Sequence, residues 1–197
     1  MPKVLVPIAE GTEDIELSCI TDILRRANFQ VTVSSVMEST TVRLCRGLVL
    51  IADSLIKDES GEGYDGVFLP GGLPGVDYLG KSVALKKILE DVRAAGKWYG
   101  AICASPVVSF EPMGLLRDVK TITCYPGLKD KVPSHVQWSA DPVVRCGKCL
   151  TSMGPGTAIA FALSIVTVLA TKDIAEKLAK DLLVYDSPVI NQMFSKF

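Results

Sequence analysis

Short apolar runs alternate along this chain with longer segments in which apolar residues recur every three or four positions. Residues 3–8, rich in valine and isoleucine, predict a buried strand that stops at Gly11. Thr12 then offers a helix cap. Glu13 and Asp14 fall in the first turn, where the helix dipole favours acids, and the helix runs to about Asn28. Strands follow at 30–36, 42–45 and 48–51, the last two flanking Arg46-Gly47, and a further strand at 66–69 ends in Pro70-Gly71-Gly72. Residues 82–95 put Leu85, Ile88, Leu89 and Val92 on one helical face. The strand at 98–102 runs directly into Cys103-Ala104-Ser105-Pro106, and Pro106 suits the first turn of a following helix.

Beyond Gly114 the pattern predicts short strands at 121–124, 136–138, 143–146 and 149–152, the last two joined by a two-residue turn, Gly147-Lys148. Gly154-Pro155-Gly156-Thr157 opens an apolar helix that reaches about Thr171, and 173–183 forms another. Strands alternating with helices imply a mostly parallel sheet covered on both faces, a doubly wound α/β sandwich spanning 1–197 as a single domain. Ligands in such folds sit beyond the carboxyl ends of the strands. The segments after Ile8, Leu69 and Ile102 are therefore the places to look.

Composition narrows the function classes. The chain has 197 residues, 48% hydrophobic and 22% charged, as a folded globular protein should. A net charge of −1 lacks the basic excess that nucleic-acid scaffolds and electrostatic membrane binders need, so neither partner is expected. The longest apolar stretch, 158–170, is interrupted by Ser164 and Thr167 and falls short of the roughly 18–20 residues of a membrane span. The first residues carry no secretory pattern. Six cysteines scattered over the chain read as reduced thiols in a cytoplasmic protein. The terminal Ser195-Lys196-Phe197 is similar to the peroxisomal Ser-Lys-Leu address, although a frayed polar end is the plainer reading.

Chemistry concentrates at the three strand ends. Gly100-Ala101-Ile102-Cys103-Ala104-Ser105 puts a thiol on a strand-to-helix turn between small residues, the geometry of a nucleophile elbow. Helix amides beyond it would favour thiolate; the alternative is a small buried core cysteine. Glu16 shares a helical stripe with Cys19, Ile20 and Ile23, whereas Glu13 and Asp14 share it less cleanly. A carboxyl facing the core loses solvation, which raises its pKa and suits it to donate a proton. The alternative is a glutamate at the stripe's edge that reaches water. Gly71 and Gly72 expose backbone N–H groups able to bind an oxyanion, or simply make a turn.

Four segments in order, Ala9-Glu10-Gly11-Thr12-Glu13-Asp14-Ile15-Glu16, Leu69-Pro70-Gly71-Gly72, Ala101-Ile102-Cys103-Ala104 and Gly154-Pro155-Gly156-Thr157, resemble the signature segments of the DJ-one/ThiJ/PfpI superfamily. The nearest branch is that of the parkinsonism-associated protein deglycase, and the resemblance runs essentially the whole chain. It implies a flavodoxin-like sandwich, a homodimer and no cofactor or metal. It also implies that Cys103 is an oxidation-sensitive nucleophile and Glu16 the protonated carboxyl beside it. Gly71, Gly72 and Ala104 would line the pocket with amides, and Arg46 would lie at the dimer interface near the site. Implied activities are glutathione-independent conversion of methylglyoxal to lactate, deglycation of early glyoxal adducts, oxidative-stress sensing and chaperone action.

One position departs from the pattern. Thr123-Cys124-Tyr125-Pro126 carries Tyr125 where many relatives have a histidine, and the single histidine, His135, falls in a polar loop. A cysteine peptidase needs an imidazole as base and then acid, so peptidase activity is not expected. Tyr125 can still donate a hydrogen bond to a substrate oxygen. Cys146-Gly147-Lys148-Cys149 lacks the partners of a zinc site and lies on a hairpin, unlike a thioredoxin motif. A cross-hairpin disulfide under oxidation is conceivable there, and two turn-flanking thiols without a role is the plainer reading. Three functions compete: an enzyme acting on small reactive aldehydes through Cys103 and Glu16, a redox sensor or chaperone-like protein with little turnover, and an interaction module with an incidental thiol.

Overall fold

In the computed structural model, which describes residues 1–197, the predicted alternation becomes eleven strands and six α-helices. The first half holds β1 (Lys3–Ile8), α1 (Asp14–Arg26), β2 (Gln30–Ser35), β3 (Thr41–Arg43), β4 (Val49–Ile51), β5 (Ser54–Leu55), β6 (Gly66–Leu69), α2 (Gly75–Lys81) and α3 (Val83–Ala94). The second holds β7 (Trp98–Ile102), β8 (Thr121–Ile122), β9 (Gln137–Trp138), β10 (Val143–Cys146), β11 (Cys149–Ser152), α4 (Ala158–Leu169), α5 (Lys172–Asp181) and α6 (Pro188–Phe194). The main sheet has the order β10-β11-β7-β6-β1-β2-β5. All its neighbours pair in parallel except the β10–β11 hairpin at one edge.

Both faces of this sheet are covered, which is why its central strands read as unbroken apolar runs. On β1, Val4, Val6 and Ile8 join a core with α1, α4, α5 and α6 on one side, while Leu5 joins α3 and its surroundings on the other. The α1 face that packs inward is Leu17, Ile20, Ile23 and Leu24, all buried. No helix is long and apolar enough to cross a membrane.

Several local expectations shift. The cap of α1 is Glu13, whose Oε2 accepts from the Glu16 N–H at 2.7 Å. The Thr12 hydroxyl is instead turned back to the Ala9 N–H at 2.9 Å. Glu13 and Asp14, which share the apolar stripe less cleanly than Glu16, are buried as well. After Cys103 the chain makes a single wide helical turn, Pro106–Phe110, and no longer helix follows. Helix α2 has glycines at both ends, which hid it in the sequence pattern. β3 and β4 form a hairpin apart from the main sheet, and β8 and β9 pair in parallel as a third small sheet. A short 3-10 turn, Pro155–Thr157, precedes α4.

Candidate active site

Strand order decides what can meet. β1, β6 and β7 are consecutive neighbours, so the loops leaving their carboxyl ends converge. From β7 comes Cys103, held at φ 66°, the left-handed region that few non-glycine residues adopt. Two hydrogen bonds hold it there: its N–H donates to the Ser152 carbonyl at 3.0 Å, and its carbonyl accepts from the Tyr125 N–H at 2.8 Å. Such strain persists only where surrounding structure over-determines it, and it turns the thiol out of the strand line. The Ser105 hydroxyl, donating to the Pro70 carbonyl at 2.6 Å, ties this elbow to the β6 loop.

That loop passes through a space only glycine fits. A Cβ on Gly71 would lie 2.6 Å from the Cys103 Cβ and 2.8 Å from Glu16 Oε2. Gly72 has φ 99°, and a Cβ there would come within 2.4 Å of the Gly11 carbonyl oxygen and the Glu13 nitrogen. In return the Gly71 carbonyl accepts from the Glu13 N–H at 2.8 Å, stitching the β6 loop to the start of α1. Gly71 is thus needed for close approach, Gly72 for its backbone angle as well.

Glu16 completes the arrangement. Its side chain is fully buried; Oε2 accepts from the Gly71 N–H at 2.6 Å, while Oε1 has no N–H or hydroxyl donor. The carboxyl faces the Cys103 thiol, and glycine at 71 and 154 leaves the space between and beside them open. Burial pushes the Glu16 pKa up to about 7, against the Gly71 N–H and the thiol, which pull it down. The amides expected to favour thiolate at Cys103 do act in that direction, but they are outweighed. Burial and the neighbouring Glu16 carboxylate push the thiol up, and only the Ala104 and Gly72 N–H groups pull it down. The two groups therefore titrate as a pair. A negative charge on either one opposes a second on the other.

The other predicted residues take varied places. Ala104 is buried with its N–H toward the sulfur. Tyr125 is half exposed and hydrogen-bonded to the elbow through its backbone, with its ring beside Gly154. Arg46 is exposed at the turn of the β3–β4 hairpin, where its side chain makes no ion pair within the chain. Its backbone N–H donates to Asp14 Oδ2 at 2.8 Å. His135 is exposed, against the Leu116 carbonyl. Sequence reasoning missed two contributors. Gly154 walls the site, since a Cβ there would sit 4.0 Å from both the Cys103 sulfur and Glu16 Oε1. Asp14 holds the Arg46 turn by also accepting from the Leu48 N–H at 3.3 Å. Glycine in the Gly154-Pro155-Gly156 segment was the available signal for the first; for the second there was none. Glu13, Asp14 and Cys45 bring ligand-type atoms together, but Asp14 Oδ2 and Glu13 Oε2 already accept backbone N–H bonds.

A flavodoxin-like sheet bearing a cysteine elbow against a buried carboxyl defines a class of thiol-centred α/β proteins. The chain belongs to the DJ-1/PfpI family, whose description matches residues 2–168. It is 42% identical to oxidized DJ-1 of Toxoplasma gondii, with a TM-score of 0.89 over 93% of this chain and 98% of that one. It is 39% identical to protein DJ-1 homolog B of Arabidopsis thaliana over 93% of this chain and 41% of that protein. The chain spans less than half the length of the Arabidopsis relatives it matches. The glutathione-independent glyoxalase DJR-1.2 of Caenorhabditis elegans is 32% identical over 91% of this chain and 94% of that protein.

Proposed function

We propose that this protein is a cofactor-independent enzyme that acts on small reactive aldehydes, converting methylglyoxal to lactate or removing early glyoxal adducts from amines. The observation that carries this reading is the contact between a buried Glu16 carboxyl and the Cys103 thiol, under the N–H groups of Gly72 and Ala104. Transfer of the shared proton to Glu16 leaves a thiolate, which adds to the aldehyde carbon and forms a hemithioacetal. The nearby N–H groups stabilise the alkoxide. Glu16, returned to carboxylate when its proton reaches the alkoxide, removes the hydrogen from that carbon and delivers it to the adjacent one. The product is a lactoyl thioester, and water cleaves it to lactate and regenerates the thiol. Relatedness to a glutathione-independent glyoxalase supports this reading.

Proton NMR of methylglyoxal with wild type and Cys103→Ser tests it. Lactate should appear with wild type alone; aldehyde loss without lactate would overturn turnover and leave simple adduct formation. That second outcome favours a redox sensor or chaperone-like role, supported by a partly exposed Cys103 with hydrogen-bond donors around its sulfur.

Two further proposals concern context. Exposed Leu48 and Ile51 line an open groove between α1 and the β3–β4 hairpin, and Ile15 and Val49 are exposed on the same two elements. We read this apolar face as the contact of a homodimer, to be checked by light scattering of wild type and Ile51→Asp. All six cysteines are free, which suits the reducing cytoplasm.

A further inference from the structure

The β10–β11 hairpin contains two thiols that the site above does not use. Cys146 and Cys149 are direct cross-strand partners in the antiparallel register, on either side of the Gly147-Lys148 turn, with Gly147 at φ 60°. Opposed residues in such a ladder share a face, and their Cα atoms lie about 4.5–5.5 Å apart. A disulfide spans Cα separations of about 4.4–6.8 Å, so the ladder already supplies the reach. Both side chains pack against the same core, the one beneath α3.

Their surroundings differ in a useful way. Cys146 is partly exposed, and its sulfur accepts the Lys120 N–H at 3.3 Å. Cys149 is buried at 1% exposure, near Tyr99, whose hydroxyl donates to the Leu115 carbonyl at 3.4 Å. One sulfur can therefore meet an oxidant in solution, and the other can meet only its partner. Cys149 pairs with Tyr99, four residues before Cys103 along the same direction, which sets the two thiol centres about 13 Å apart. The hairpin thiols cannot exchange directly with Cys103.

We propose that Cys146 and Cys149 form a second redox centre, which a hydroperoxide converts into a reversible cross-hairpin disulfide. The Cys146 thiolate attacks the peroxide oxygen, breaking the O–O bond; sulfur is oxidised to the sulfenic acid, and the other oxygen leaves as hydroxide and is protonated. The Cys149 sulfur then attacks Cys146, its proton and the departing hydroxide leave as water, and the S–S bond forms. With hydrogen peroxide, two thiols and one peroxide give one disulfide and two waters. The closed ring holds only four residues, so the bond gains little from chain entropy and acts as a switch, not a staple.

The hairpin's own sequence provides the assay, because trypsin cuts after Arg145 and Lys148 and separates the two cysteines. Wild type and Cys103→Ser protein are exposed to hydrogen peroxide, alkylated in denaturant and digested. The expected product in both is peptide 146–148 joined to peptide 149–172, lost on treatment with dithiothreitol. In Cys149→Ser, dimedone should trap Cys146 as its sulfenic acid. Alkylated Cys146 and Cys149 at a peroxide dose that fully oxidises Cys103 in wild type would overturn the proposal. So would Cys146 sulfinate beside alkylated Cys149, or a linkage from either cysteine to any other.

Discussion

Glu16 Oε2 accepts the Gly71 N–H at 2.6 Å, and the same carboxyl lies against the Cys103 thiol, so one buried acid joins the loops of two strands. Burial sets its proton affinity, with its pKa raised from 4.5 to about 7. The folded state therefore binds a proton that the unfolded chain releases between those values. This contribution to stability is complete below about pH 4.5 and is lost as pH rises through 7, amounting to about 3 kcal/mol. Urea unfolding of wild type and Glu16→Gln across pH 4 to 8 should show the wild type weakening against the variant by that amount. Parallel pH curves would contradict the buried, raised carboxyl.

The glycines of the β6 loop predict a separation of effects. Gly72→Ala forces a side chain into a left-handed conformation and against the α1 entry, and should cost at least about 2 kcal/mol in urea unfolding. Gly71→Ala pushes directly on Cys103 and Glu16, and should slow alkylation of Cys103 about tenfold or more. Reversal of the two effects would show that the loop is not packed as described.

Asp14 anchors the Arg46 turn from a different element. Asp14→Ala removes the acceptor of the Arg46 and Leu48 N–H groups and should cost about 1–2 kcal/mol. Hydrogen exchange should accelerate at those two amides and stay unchanged at Cys103. Unchanged exchange throughout would mean that the turn is held by its own backbone.

Tyr125 offers a gain-of-function test. Its backbone is hydrogen-bonded to the Cys103 carbonyl, and its ring lies beside Gly154, which also borders the sulfur. Tyr125→His places a base there with a pKa near ~6.5, and the aldehyde conversion rate should rise about tenfold or more above that pH. A rate and pH profile matching wild type between 5.5 and 7.5 would show that an imidazole at this position takes no part.

Most of the frame was legible because it depends on local chemistry. Continuous apolar strands, the amphipathic α1 and α3, the Gly-rich loop and the small residues around Cys103 each carry their own signal within a few positions. Other features were illegible for an equally local reason. Thr12 and Glu13 are both able to cap α1, and only the approach of Ala9 turned the threonine away. Glycines at the ends of α2 concealed a helix that packing supplies.

The sequence alone determined that strands and helices alternate, that a thiol sits on a tight turn after a buried strand, and that a carboxyl shares an apolar helical stripe. These follow from periodicity and from the conformational limits of glycine and proline, which act over short distances. Tertiary structure decided the strand order that brings the β1, β6 and β7 loops together. It also decided the burial that moves the proton affinities of Glu16 and Cys103, and the partner that Asp14 finds at Arg46. Solvent exclusion and long-range contacts belong to the packed chain, since a residue's dielectric surroundings depend on segments more than a hundred positions away, as Gly154 is from Glu16.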